Sequence, residues 1–277
     1  MREAALPKVV ITGAAGSIGG KLRRHMEGLG WPLVLLDKES CGDPAIDAFD
    51  LSVWDTAWVD RLRGADALLL LAGVPYPHAG WAELVPNNLD LVGNCLEACV
   101  LAGVRRVVFA SSNWVLGGRR FEEGPLRPDT PPYPVNGYGM AKLAGERLGK
   151  LYAERRGLSV VCLRIGYAQR EPGNRPGPHM NWGLWGQAMW LSDRDLCQGF
   201  EKAVLAPSDL GFAVLNLMSD NPGMRWDLAP TRQAIGYVAQ DGASPMVTPE
   251  IEADEAVSRE GWAAMERIRD FLMRRRR

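Results

Sequence analysis

The stretch Lys8-Val-Val-Ile-Thr-Gly-Ala-Ala-Gly-Ser-Ile-Gly19 decides the fold of this 277-residue chain. Its first five residues form an apolar run that is typical of a strand buried on both faces. Three glycines, Gly13, Gly16 and Gly19, follow at once, and an amphipathic stretch of helical length covers 17–29. Glycines at this spacing allow a tight turn and let the backbone approach a pyrophosphate at the helix N-terminus. Alone, such a turn also fits another phosphate-binding loop or a purely structural one.

Outward from this unit, short apolar runs alternate with amphipathic stretches. The further runs are Leu33–Asp37, Ala67–Leu71, Arg106–Ala110 and Ser159–Leu163, and the helical stretches lie near 55–63, 82–102 and 137–156. This βαβ alternation predicts an α/β fold, a doubly wound parallel sheet of the Rossmann type with right-handed crossovers.

After Gly166 the alternation breaks. Residues 168–190 carry Gly, Pro, Asn and three Trp, and then a helix near 195–205, a strand near 212–217 and a charged helix from about 253 to the end are predicted. Exposing three Trp to water is unusual, so a segment packed over a site is favoured over a mobile surface loop. We expect residues 1–166 to form the cofactor-binding domain. Residues 167–277 are expected to form a small substrate-binding and helical part, within one compact unit.

The composition narrows the function. The formal net charge of -1 argues against nucleic acid as the main partner, because phosphate binding needs a basic surplus. The five cysteines are scattered without a C-x-x-C pair, which suits a reducing cytoplasm. No apolar run reaches the roughly 18 residues of a membrane span, and no His, Cys and Asp cluster has metal-ligand spacing. We therefore expect a cytoplasmic protein that binds no metal and does not contact a membrane. We also expect it to form a homo-oligomer.

An acidic residue ends the second predicted strand. Asp37 lies 24 residues after Gly13, where a carboxylate can accept hydrogen bonds from both hydroxyls of the adenosine ribose. Such a carboxylate repels a 2′-phosphate, and Lys38 next to it weakens this effect without reversing it. The cofactor is therefore predicted to be NAD rather than NADP. The alternative is an Asp that merely caps a loop.

A Tyr and a Lys four residues apart form the second decisive motif. Tyr138 and Lys142 share one face of the helix predicted over 137–156. A Lys ammonium beside a phenol is expected to lower the pKa of the Tyr, which can then exchange a proton with a carbinol or carbonyl. The run Phe109-Ala-Ser-Ser-Asn113 ends another strand, where ligands bind in such sheets. A Ser hydroxyl there either holds the reacting oxygen or is a turn residue.

Taken together, these residues resemble the extended short-chain dehydrogenase/reductase superfamily, which contains the NAD-dependent epimerases and dehydratases. The motifs that carry the resemblance are the Gly-x-x-Gly-x-x-Gly turn, Asp50-Leu51, Leu71-Ala-Gly73, Asn88, Ser111-Ser112 and Tyr138-x-x-x-Lys142. Within that superfamily the chain is most similar to uronate dehydrogenases. The stretches concerned are Val107-Val-Phe-Ala-Ser-Ser-Asn113, Gly137-Tyr-Gly-Met-Ala-Lys142 with Gly145-Glu146, and Leu163-Arg-Ile-Gly166 leading to Glu171-Pro-Gly-Asn-Arg175.

The resemblance implies a role for each residue. Ser112, Tyr138 and Lys142 match the catalytic Ser, the acid/base and the Lys that binds the nicotinamide ribose. The residues expected to bind NAD are Gly13, Gly16, Ser17, Ile18, Gly19, Asp37, Asp50, Leu51, Leu71, Ala72, Gly73, Asn88, Tyr138 and Lys142. The residues expected to contact a sugar-like substrate are Pro75, Ser112, Asn113, Trp114, Tyr138 and Arg175, of which Arg175 holds a uronate carboxylate. Without the resemblance, a solvated loop residue is the favoured interpretation of Arg175.

Two positions depart from the uronate dehydrogenase pattern. Trp114 stands where those enzymes have a His, and Pro75 where they have a Ser. The resemblance still implies an NAD-dependent oxidoreductase that oxidises a hexuronic acid at its anomeric carbon to an aldarolactone. Two alternatives stay open. One is a sugar or nucleotide-sugar epimerase, dehydratase or decarboxylase that uses NAD transiently, and the other is a non-catalytic NAD-binding protein.

Overall fold

A sheet of parallel strands forms the centre of the molecule. The structure is a computed structural model that describes residues 6–170 and 173–274. In this part of the chain the strands make one seven-stranded sheet of order β3-β2-β1-β4-β5-β6-β7. The strands are β1 Val9–Thr12, β2 Leu33–Asp37, β3 Ile46–Ala48, β4 Ala67–Leu70, β5 Arg106–Ser112, β6 Ser159–Ile165 and β7 Phe212–Leu217. All neighbouring pairs are parallel. The predicted doubly wound sheet is therefore confirmed.

Helices connect the strands. They are α1 Ser17–Gly28, α2 Thr56–Arg61, α3 Trp81–Leu84, α4 Leu91–Ala102, α5 Gly137–Arg156, α6 Gly183–Ala188, α7 Asp193–Val204, α8 Ala229–Ile235 and α9 Pro249–Arg274. A π-helical turn, Val85–Asp90, joins α3 to α4, and a 3₁₀ helix, Asn113–Arg119, follows β5. The predicted helix over 82–102 is thus interrupted, and the last helix begins four residues earlier than the expected 253.

One strand was not predicted. β3 contains only Ile46, Asp47 and Ala48 and pairs with β2 at the edge of the sheet. A three-residue strand with a charged centre produces no apolar run, so the sequence pattern misses it.

Both faces of the sheet are covered, because successive side chains of a strand point to opposite sides. Val9 and Ile11 of β1 pack in the same cluster as Leu22 of α1 and Phe200 of α7. Val10 lies in the opposite cluster, which contains side chains from α2 and α4. These strands are buried in full, which explains their apolar sequences.

A third, smaller cluster joins the segment after Gly166 to residues that follow β5. Its buried members are Leu116, Leu126, Trp185, Met189, Met218 and Trp226. From the same segment, β7 adds the seventh strand to the sheet beside β6. The boundary at residue 166 between two functional parts stays a prediction.

The chain order reverses between β1 and β4, which are neighbours in the sheet. In sheets of this type the crevice at such a reversal, outside the carboxyl ends of the strands, is where ligands bind. The loops after β1, β4, β5 and β6 share that edge. No helix within residues 6–170 and 173–274 is long and apolar enough to cross a membrane.

Candidate active site

The glycine turn after β1 is built for close approach. Gly13 has φ +72°, and a Cβ there would lie 2.9 Å from the backbone nitrogen of Ala72. A Cβ on Gly19 would lie 2.1 Å from the carbonyl oxygen of Gly13. Side chains are therefore excluded at both positions, and the turn packs directly onto the loop after β4.

The first turn of α1 offers free polar groups. Gly16 is the N-cap and provides no side-chain cap, so the helix N–H groups stay available for an anion. The Oγ of Ser17 is buried without a hydrogen-bond partner among the described residues. Ile18 packs against the core. A glycine cradle with an unpaired buried hydroxyl fits the pyrophosphate of NAD.

Thr12 fixes the floor of this crevice, a role that the sequence did not reveal. Its fully buried Oγ1 donates to the carbonyl of Leu69 at 3.1 Å. The same oxygen accepts from the backbone N–H groups of Leu71 and Ala72, at 3.2 and 3.3 Å. One hydroxyl thus sets the spacing between the turn after β1 and the loop after β4.

Asn88 and Gly73 shape the next part of that loop. Asn88 is buried, and its side-chain amide exchanges two hydrogen bonds with the backbone of Val74, at 2.9 and 3.1 Å. Gly73 has φ +141° and lies against Asn88. The structure therefore places Asn88 behind the loop, where it orders the backbone that would line the cofactor.

Asp37 lies beside the glycine turn, as the sequence predicted. Its Oδ2 accepts from the backbone N–H of Ala15 at 2.9 Å. Lys38, whose positive charge weakened the prediction of NAD over NADP, forms an ion pair with Asp50, with its Nζ 2.8 Å from Oδ2. That ion pair, with hydrogen bonds from Ser52, lowers the pKa of Asp50. Asp50 is thus engaged with Lys38 and Ser52, whereas Leu51 is buried in the core behind it.

From this arrangement we expect NAD to bind at least about tenfold more tightly than NADP, which corresponds to about 1.4 kcal/mol. The reason is repulsion between the Asp37 carboxylate and a 2′-phosphate, while Asp50 neutralises Lys38. Titrating both cofactors and comparing their Kd values measures this. Asp37→Ser should reduce the preference, and equal or tighter NADP binding by the wild type would contradict the expectation.

The residues predicted to be catalytic meet at the carboxyl end of β5. Asn136 caps α5 by accepting from the backbone N–H of Gly139 at 2.7 Å, which places Tyr138 in the first helical turn. Tyr138 is hydrogen-bonded to Ser112, the last residue of β5. The buried ammonium of Lys142 lies 5.6 Å from the centre of the Tyr138 ring and 5.0 Å from that of Phe109. The predicted Ser, Tyr and Lys are therefore brought together.

Burial dominates the titration of this pair. It raises the pKa of Tyr138 to about 12, against the smaller lowering effect of the Ser112 hydrogen bond. It also lowers the pKa of Lys142 to about 8. The expectation that Lys142 brings the pKa of Tyr138 below its usual value is therefore wrong. Desolvation disfavours the charged form of each residue and is the largest cause of both shifts.

These shifted pKa values predict how kcat/KM depends on pH. The pair loses its first proton near pH 8, mostly from Lys142. The form with a Tyr138 phenolate and a Lys142 ammonium is a constant fraction of that singly deprotonated state. For this reason kcat/KM for oxidation should rise about tenfold per pH unit below pH 8 and level off above it. In Lys142→Met only the phenol remains, and the rise should move to higher pH. Initial rates between pH 6 and about 10 check this. The same rising limb in both proteins would show that another group titrates.

A buried ion pair between Arg164 and Glu146 lies beside the segments that carry Ser112 and Lys142. Arg164 of β6 donates to both carboxylate oxygens of Glu146, at 2.8 and 2.9 Å, and Ser111 donates to the same carboxylate at 2.7 Å. Glu146 lies one helical turn after Lys142 on α5, and Ser111 precedes Ser112. The network therefore joins the helix that carries Tyr138 and Lys142 to the strand that carries Ser112.

Asn113 and Trp114, which were predicted to contact the substrate, follow Ser112 directly. Asn113 is buried and donates to the carbonyl of Ile165 at 3.2 Å, while its Oδ1 has no partner in the described part of the chain. Trp114 donates its backbone N–H to Ser112 Oγ at 3.2 Å. Its ring meets that of Trp182 in a T-shaped contact, with centroids 4.8 Å apart. Trp182 of the Trp-rich segment therefore packs against the residue that follows Asn113. That this segment covers a substrate site stays a prediction.

The loops after β4 and β6 flank the end of β5, and one contact crosses between them. Arg170 donates to the hydroxyl of Tyr76 at 2.7 Å, and its guanidinium carbon lies 5.1 Å from the centre of that ring. Neither residue was predicted. Pro75 is exposed next to Tyr76. Arg175 is exposed too, and its side chain has no partner among the residues that the structure describes. Glu171 and Pro172 lie outside that part.

A group of polar residues around the buried Lys21 fixes the start of this loop. Lys21 of α1 donates to the carbonyl of Gln169 and to Asp193, both at 2.7 Å. Asn174 donates to the same Asp193 carboxylate at 2.8 Å and accepts from the indole N–H of Trp190 at 2.9 Å. These partners are up to 172 residues apart in the chain, so no local pattern reveals them. In the described ranges, no group of three or more His, Cys, Asp or Glu could hold a metal ion.

A nucleotide-binding crevice next to a Ser, Tyr and Lys group defines a dinucleotide-dependent oxidoreductase of the short-chain type. Residues 9–169 match the NAD dependent epimerase/dehydratase family. The chain belongs to this family, and the predicted superfamily and NAD cofactor are thereby confirmed.

Individual proteins to which the chain is similar are NAD-dependent sugar dehydrogenases and uronate dehydrogenases. An NAD-dependent glucose-6-phosphate dehydrogenase of Haloferax volcanii is 33% identical over 90% of this chain and 98% of its own. A uronate dehydrogenase of Pseudomonas putida is 32% identical over 85% of each chain. The crystal structure of a variant uronate dehydrogenase from Agrobacterium tumefaciens complexed with NAD superposes with a TM-score of 0.72, at 27% identity and over 86% of each chain.

Proposed function

We propose that this protein oxidises a hexuronic acid at the anomeric carbon to an aldarolactone, with NAD as the oxidant. One observation carries the proposal. The Ser112–Tyr138 hydrogen bond lies at the end of β5, with Lys142 one turn along α5 and the glycine cradle two strands away. The similarity to a uronate dehydrogenase and to a glucose-6-phosphate dehydrogenase supports oxidation of a free sugar.

Each side chain has a task in the reaction. Tyr138, once deprotonated, takes the proton of the anomeric hydroxyl, and Ser112 holds the same oxygen by a hydrogen bond. Lys142 compensates the phenolate charge in this buried place. NAD, when bound along the glycine turn and Asp37, supplies the acceptor for the hydride. Asn113 offers its unpaired Oδ1 to a substrate hydroxyl.

Arg175 is our candidate for the carboxylate, because its exposed guanidinium is not used by the described residues and can form paired hydrogen bonds. Arg170 is the alternative, since its bond to Tyr76 already places it between the loops that flank Ser112. Ser17 and the glycines of the turn keep the cofactor-binding role that the sequence predicts. Ile18, Leu51 and Asn88 are corrections to that prediction, because they pack behind the crevice and support it from there.

Net formation of NADH tests the proposal. Purified protein and NAD should produce NADH steadily with D-glucuronic or D-galacturonic acid, because each turnover leaves a lactone and a reduced cofactor. D-glucose 6-phosphate and D-glucose serve as comparison substrates. Conversion of a sugar without net NADH would instead favour an epimerase or dehydratase. No conversion of any sugar, with NAD bound, would favour a non-catalytic NAD-binding protein.

Two further properties stay predictions. Assembly into a homo-oligomer is measured by light scattering of the purified chain. A cytoplasmic location agrees with five cysteines that form no disulfide and is measured by fractionation.

A further inference from the structure

Trp182 has two features that are unfavourable for the stability of the fold: a strained backbone conformation and an exposed indole. It is a bulky residue with φ +73° and ψ 18°, in the left-handed region that normally favours glycine. The residue is also 44% exposed, so part of the usual gain from burying an indole is lost. Strained residues of this kind cluster at functional sites, where the surrounding structure holds them in place.

The surroundings hold Trp182 from two sides. Its ring meets Trp114 at an interplanar angle of 77° and a centroid distance of 4.8 Å. Trp114 is partly buried, and a Cβ on Gly117 would lie 2.8 Å from its ring. Trp114 is therefore enclosed between Gly117 and Trp182, whereas Trp182 keeps open surface.

The main chain of Trp182 is anchored as well. Its carbonyl accepts from Arg120 at 3.4 Å. Arg120 is paired at 2.6 Å with Glu255 in α9, and both side chains are largely buried. The C-terminal helix thus fixes the position of an exposed indole beside the segment that carries Ser112 and Asn113.

We propose that Trp182, supported by Trp114, is a flat aromatic surface against which the sugar ring of the substrate lies, and that it determines which epimers are accepted. The proposal rests on the proposed function and specifies its substrate class. A pyranose with equatorial hydroxyls presents axial C–H groups to the indole, whose π face is negative. An axial hydroxyl on that face loses water and gains no partner, which is unfavourable.

Three hexuronic acids test the proposal. D-glucuronic acid has equatorial hydroxyls at C2, C3 and C4, whereas D-galacturonic acid has an axial one at C4 and D-mannuronic acid at C2. In the wild type, kcat/KM for at least one axial epimer should be about tenfold or more below that for D-glucuronic acid. In Trp182→Gly and Trp114→Ala the three values should converge to within about threefold, chiefly through KM.

Trp182→Gly also separates function from stability. Glycine adopts the left-handed angles without strain, which offsets part of the packing lost against Trp114, so the protein should stay folded with a small change in Tm while the discrimination disappears. Trp54 provides a matched control, since it is 42% exposed and contacts Trp58 edge-on at 5.7 Å. Trp54→Ala should keep the wild-type ratio.

The possible failures are distinct. A wild type that oxidises no hexuronic acid overturns the proposed function and the aromatic surface with it. A wild type that oxidises all three epimers equally well overturns the aromatic surface alone. So do variants at Trp182 and Trp114 that keep the wild-type ratio at native Tm.

Discussion

Tyr138→Phe is expected to lower kcat by roughly 10²–10⁴-fold, the usual contribution of a positioned acid or base. The ring stays in its place at the start of α5, but the hydroxyl that bonds to Ser112 is lost. The affinity for NAD should change by no more than about threefold, because the hydroxyl acts in proton transfer more than in cofactor binding. Rates with saturating substrate, together with NAD titration, measure both quantities.

Tyr152→Phe is the matched control. Tyr152 lies on the same helix, and its hydroxyl donates to Glu97 at 3.0 Å, away from the catalytic segment. This variant should keep wild-type kcat. If Tyr138→Phe keeps its turnover, Tyr138 has no part in the mechanism.

Arg175→Ala should cost about 2–4 kcal/mol in kcat/KM for a hexuronic acid, through loss of a charge-assisted pair. The loss should be confined to acidic substrates, so that the neutral aldose of the same configuration is oxidised as before. Arg175→Lys should restore only part of the rate, because an ammonium cannot make the two parallel hydrogen bonds of a guanidinium. The measurement is kcat/KM for the acid and the aldose in each variant.

Arg170→Ala identifies the alternative. If the acid-specific loss occurs in this variant and not in Arg175→Ala, Arg170 holds the carboxylate. Arg63→Ala is the control, because Arg63 pairs with Asp60 and its carbonyl accepts from Lys8, next to the amino end of β1. An equal loss on acid and aldose in Arg175→Ala would contradict a carboxylate contact.

The sequence predicted those parts of the site whose chemistry lies in local spacing. The glycine turn, Asp37 at the end of β2 and the Tyr138–Lys142 pair each occupy a few consecutive residues with one geometric reason. Periodicity likewise revealed most strands, because both faces of the sheet are buried. The three residues of β3 were missed since they form no apolar run.

The parts that were not predicted depend on distant partners. Glu146 accepts from Arg164 and Ser111, which are 18 and 35 residues away, and only the assembled sheet brings them together. The pKa of Tyr138 was expected in the wrong direction, because spacing shows a nearby Lys but not the burial that outweighs it. The Trp-rich segment signalled packing over a site without showing that Trp182 would contact Trp114.

The central claim is that hydride leaves the anomeric carbon and remains on the released cofactor. D-glucuronic acid deuterated at C1 tests it, with mass spectrometry of the NADH that accumulates. The label should appear in the NADH, in an amount equal to the lactone formed, and acid deuterated at C4 should give unlabelled NADH. Label transferred from C4, or turnover of the sugar that leaves no labelled NADH in solution, would contradict the claim.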